Sequence, residues 1–110
     1  MKRVLVLGLD GADPALCRRW MDDGALPNLR ALAAAGALLP LESVTPPATF
    51  PAWTSCVTGV NPGRHGVFDF TEMVPGRYAV RFVNGSFRRA PAVWDMLSRA
   101  GRRVVVAGVP

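Results

Sequence analysis

Apolar side chains follow two rhythms along this chain. Val4 to Leu9 is a continuous run of valine and leucine, interrupted only by Gly8. Such a run suits a strand buried on both faces, as in the centre of a parallel sheet. Asp10 and Gly11 end it. Asp13-Pro14 then reads as an N-cap followed by proline at the first helical position, and the helix runs to about Asp23 with Gly24 as its stop. Pro27 restarts a helix with Leu29, Leu32 and Ala33 on one face, and Gly36 closes it. Ala37 to Val44 predicts a second strand, weakened by Pro40. After the rigid Thr45-Pro46-Pro47 loop, Thr49 stands at a helix N-cap, with Pro51 tolerated in the first turn. Trp53 and Val57 share a face of that helix, and Gly59 ends it. Tyr78 to Val83 alternates as a strand does, Asn84 marks a turn, and Pro91 opens a helix with Val93, Trp94, Leu97 and Ala100 on one side. Gly101 caps it, and Arg103 to Val109 predicts a last buried strand.

Alternation of strands and helices gives an α/β class, a largely parallel sheet flanked by helices. No helix pattern follows the apolar run at 103–109 to cover it. The expectation is therefore a sheet incomplete at the C-terminus, with residues 1–110 as the N-terminal part of a single larger domain. No internal repeat or low-complexity tract interrupts the pattern.

Composition narrows the function classes. Half of the 110 residues are hydrophobic and 19% are charged, which excludes a disordered chain. The net charge is +5, from twelve arginines and one lysine against eight carboxylates. Eight of the arginines fall from Arg64 onward, against Asp69, Glu72 and Asp95. They are dispersed rather than clustered, and no aromatic residues interleave with them, so a nucleic-acid partner is not expected. Cys17 and Cys56 form no CxxC and no disulfide framework, which fits a reducing compartment. The apolar run after the basic start is too short for a signal peptide, and no span reaches the ~20 apolar residues of a membrane helix. A soluble, cytoplasmic protein is expected.

Two side chains carry candidate chemistry. Asp10 follows the carboxyl end of the first predicted strand, the edge where open α/β sheets bind ligands. A carboxylate there can hold a divalent cation or can simply fold the turn. The glycines of "GLDGAD" lack the dinucleotide-binding spacing. Thr49 at a helix start lies in the positive field of the helix, where the backbone N–H of Phe50 points at a bound anion. The same field favours an alkoxide, and a neighbouring metal would lower the hydroxyl pKa further. Its plain alternative is a capping threonine. His65, the chain's only histidine, suits a hydrogen bond to a backbone carbonyl in a tight turn, and Arg64 beside it suits solvent or a phosphate. Trp53, Trp94 and Phe82 take core positions.

Several stretches together resemble one family. "VLVLGLDGADP" resembles the opening strand and metal-ligand loop of the alkaline phosphatase superfamily. "TPPATFPAWTSCVTGVNPGRHGVFDF" resembles the nucleophile segment of its type I phosphodiesterase / nucleotide pyrophosphatase branch, with T-F-P, T-G-x-x-P and H-G in order. "LPNLRALAAAGA" and "APAVWDMLSRAGRRVVVAGVP" resemble that branch's flanking helix and its next helix and strand. The resemblance implies a hydrolase using two divalent ions, zinc or sometimes manganese, on a small phosphate ester or nucleotide. It implies Thr49 as a nucleophile that forms a phospho-enzyme and binds metal, Asp10 as a metal ligand, and the Phe50 N–H as a phosphate contact. An asparagine that follows H-G in the nucleotide pyrophosphatases is replaced here by the run Phe68, Asp69, Phe70, which changes substrate handling. The family's remaining ligands are downstream Asp and His residues that this stretch does not contain, so the 110 residues by themselves are expected to be inactive. Phosphonate hydrolases and phosphoglycerate mutases are neighbouring alternatives. Sulfatases fit less well, because Cys56 lies in "TSCVTG". A non-catalytic anion-binding module or decayed fragment is the alternative outside enzymology.

Overall fold

The computed structural model describes residues 3–109; Met1, Lys2 and Pro110, which flank the first and last apolar runs, lie outside the described residues. The chain divides into two compact units between Glu42 and Ser43.

In the first unit, helix α1 spans Pro14–Asp22. Asp13 precedes it in an extended conformation, and its Oδ1 accepts a hydrogen bond from the Leu16 N–H at 2.8 Å. Pro14 fits the first helical position because that N–H has no helical partner to lose. The chain turns, the Leu26 N–H donates to the Trp20 carbonyl at 3.0 Å, and α2 runs over Pro27–Ala35 against α1. Met21 is the buried apolar side chain of this unit.

The second unit opens with α3, Thr49–Thr58, and the short α4, Pro62–His65. Between them the chain reverses at Gly59, whose φ of +71° puts it in the left-handed region that closes many helices. Its N–H donates to the Ser55 carbonyl at 2.8 Å. A hairpin follows: β1, Thr71–Met73, pairs antiparallel with β2, Val80–Phe82, and Glu72 sits opposite Arg81. Arg81 Nε donates to Glu72 Oε1 at 2.9 Å, and its guanidinium covers the Phe87 ring. A 3₁₀ turn at Gly85–Phe87 leads to α5, Val93–Arg99. Val67, Val83, Ala92, Thr58, Pro51 and His65 form the buried centre of the unit.

Helices and strands are both present, so the mixed class holds, but the parallel sheet does not appear among the described residues. Their one sheet is the two-stranded antiparallel hairpin. The runs at 4–9, 37–44 and 103–109, expected as strands, adopt no regular element. The reason is physical: a strand is made by a hydrogen-bonded neighbour, and none of these runs has one among the described residues. Their side chains are correspondingly open; Val4 is 88% and Val105 94% exposed. Tyr78 to Val83 does contain a strand, and its partner at Thr71–Met73 is an element that the apolar pattern did not announce.

Candidate active site

The approach to α3 is short and stiff. The Thr45–Pro46 peptide is cis, and the Ala48 N–H donates to the Pro46 carbonyl at 3.1 Å. Ala48 is extended, with φ −130° and ψ 160°, and its carbonyl accepts the first helical bond from the Ala52 N–H at 3.0 Å. Ala48 is therefore the N-cap, one residue before the position expected from the sequence, and Thr49 is the first residue inside the helix. The backbone of Thr49 therefore belongs to the first turn, at the positive end of the helix. Alanine at the N-cap offers no side-chain acceptor to the N–H groups of the first turn, and Pro51 carries none. Thr49 and Phe50 are both half-buried.

Phe50 turns its ring onto Phe70, with centroids 4.4 Å apart and planes tilted by 43°. It also lines a cavity of about 250 Å³ with Val57, Val67 and Val83, closed by Thr54 and Arg88. Arg88 is already engaged: its guanidinium donates to Asp95 Oδ2 at 2.7 Å and to the Ala90 carbonyl at 2.8 Å.

His65 ties the end of α4 to α3. It is fully buried. The Val67 N–H donates to Nδ1 at 3.1 Å, while Nε2 lies 2.8 Å from Ser55 Oγ, and the ring also meets the Pro51 backbone. An amide N–H can only donate, so Nδ1 is the unprotonated nitrogen and the ring proton sits on Nε2, facing α3. A general base would have to present a lone pair to the serine hydroxyl. His65 presents an N–H instead, so Ser55 and His65 are not a nucleophile and its base. Burial pushes the imidazole below its ordinary 6.5, and the contact with the Pro51 backbone offsets part of that.

Asp10 lies in the first unit, in the exposed turn after the 4–9 run, and Thr49 belongs to the second; each is placed within its own unit. Among the described residues no three His, Cys, Asp or Glu side chains gather as a cation site. Asp69, where the pyrophosphatases carry asparagine nearby, accepts a bond from the Phe70 N–H at 2.7 Å. Arg64 is exposed at the end of α4, and its N–H is held by Asn61 Oδ1. The contacts of Phe70, Ser55, Arg88 and Asp95 around this helix were not indicated by the sequence pattern. Only the E-type spacing of Asp95, three residues after Ala92, signals its reach back to the Ala92 N–H at 2.8 Å.

Among known proteins, the model of the family described as type I phosphodiesterase / nucleotide pyrophosphatase matches residues 4–110. No curated protein and no solved structure matches the chain.

Proposed function

The chain belongs to the type I phosphodiesterase / nucleotide pyrophosphatase family, and from that premise we propose that it acts in hydrolysis of small phosphate esters with Thr49 as the nucleophile. The observation that carries this reading is the position of Thr49 inside the first turn of α3, after an N-cap that brings no competing oxygen. Its Oγ1 forms the bond to phosphorus as the bond to the leaving alcohol breaks, and the threonine proton balances the departing alkoxide. Water then cleaves the phosphothreonine and restores the hydroxyl. The Phe50 N–H and the helix field stabilise the charge that gathers on the phosphoryl oxygens.

The family resemblance implies two divalent cations, zinc or manganese, with Asp10 and Thr49 each giving one ligand. The described residues do not fit such an ion by themselves, since no three ligating side chains gather among them.

The test is turnover of 4-nitrophenyl phosphate mono- and diesters, with zinc or manganese, by this stretch joined to the downstream Asp and His ligands that the resemblance implies. Thr49→Ala is expected to lower kcat by about 10³-fold or more, with Thr49→Ser recovering part of it. Equal turnover by Thr49→Ala and the natural protein would remove Thr49 from the reaction. Phosphate binding with no turnover in either would leave the helix end as an anion site.

A further inference from the structure

Resting on that reading of Thr49, we propose that His65 is a positioning residue: in its Nε2–H form it latches the first turn of α3, where Thr49 stands, to the turn that follows α4. The ring makes contacts in both directions. The ring meets the Pro51 backbone, two residues after Thr49, and its Nε2 faces Ser55, one turn further on. Its Nδ1 side accepts from the Val67 N–H. Ser55 Oγ and the Val67 N–H are thereby held at opposite edges of one flat, fully buried ring. With Nδ1 accepting from an amide, the neutral imidazole carries its proton on Nε2, which donates toward α3.

The surroundings keep the ring in that form. From α3 it meets Pro51 and Ser55, neither of which titrates near neutrality. From the segment before α5, the Arg89 N–H donates to the His65 carbonyl at 2.9 Å. The Arg89 side chain lies so close to Gly66 that a Cβ there would come within 3.0 Å of Arg89 Nε. Arg64 precedes the histidine in α4. The charged groups nearest it in these segments, Arg64 and Arg89, are exposed, and it is burial of the ring that opposes a second proton. A proton added to Nδ1 would set its N–H against the Val67 N–H in a dry interior, and the latch would open from the Val67 side.

The experiment uses the whole protein labelled with ¹⁵N and needs no turnover. Ring ¹H–¹⁵N correlations at neutral pH are expected to show Nδ1 unprotonated and Nε2 protonated. Amide exchange then reads the latch at Ala52, which closes the first turn of α3, and at Val67. His65→Phe, which keeps the ring shape and loses both polar edges, should speed Ala52 exchange by about tenfold or more. His65→Gln, whose side-chain N–H₂ can still reach α3, should hold Ala52 within about threefold of the natural protein. Acidification below pH 6.5 should lower the protection of the Val67 amide, its exchange measured against the intrinsic rate at each pH, in the natural protein and not in His65→Gln. If His65→Phe does not fold, the ring tautomer and His65→Gln decide alone. A proton on Nδ1, equal Ala52 exchange in folded His65→Phe and the natural protein, or His65→Gln behaving as His65→Phe would each overturn the proposal. Thr49→Ala should leave the ring signals in place, so a failure of the nucleophile reading is distinguishable from a failure of the latch.

Discussion

Single residues set the chemistry of this chain through where they sit relative to a helix end. Thr49 differs from a capping threonine by one position: it is the first residue inside α3, after the N-cap Ala48. His65 has a proton address fixed by one amide, and that address excludes it as a base toward Ser55. The buried imidazole also gives stability a pH dependence of definite sign. Its folded pKa lies below the ordinary 6.5, so between those two values the unfolded chain binds more protons than the folded one. Stability is fully present above pH 6.5 and declines as pH falls toward the folded value. Urea unfolding at a series of pH values is expected to show this decline, and His65→Gln is expected to flatten it. Gly66 is a second residue under local constraint. Its φ of +81° costs an L side chain about 1–2 kcal/mol, so Gly66→Ala should lower stability by that order and Gly66→Asn by less. Equal urea midpoints for the three chains would show that the left-handed turn is not held.

At the scale of elements, punctuation was legible and pairing was not. Asp13-Pro14, Pro27, Gly59 and Gly101 mark helix ends by backbone conformations that depend only on neighbours in sequence, and the helices appear where those residues put them. Strands depend on a partner elsewhere. Val4 to Leu9 has the composition of a buried strand, yet no ladder forms there among the described residues. Thr71–Met73 is a strand because Val80–Phe82 lies beside it across a Pro75-Gly76 turn. The cross-link from His65 to Pro51 and Ser55 was illegible for the same reason, since it joins residues ten or more apart through a side chain. Asp95 illustrates an element held by one carboxylate. It accepts from the buried Ala92 N–H at the start of α5 and from Arg88. Asp95→Ala leaves that N–H without an acceptor, and an expected loss of about 1–3 kcal/mol should appear as a lower urea midpoint. Asp95→Asn should recover part of it by keeping one oxygen.

Across the whole molecule, charge is divided unevenly. Up to Glu42 the basic and acidic side chains balance. From Ser43 onward eight arginines face three carboxylates, and two of those carboxylates are paired to Arg81 and Arg88. The unit that carries Thr49 therefore holds the net positive charge of the chain, the sign that attracts anions in general. The family membership implies small phosphate esters as the substrate class. No helix among the described residues is long and apolar enough to cross a membrane. If this charge assists capture, KM for a phosphate ester should rise with ionic strength while kcat changes little. Thr49 is the residue proposed to take the phosphoryl group. The most direct measurement is acid quenching during turnover of a phosphate ester labelled at phosphorus, followed by peptide mass spectrometry. Phosphothreonine at position 49, absent in Thr49→Ala, is the expected result. Label on another side chain, or undiminished label in Thr49→Ala, would contradict it.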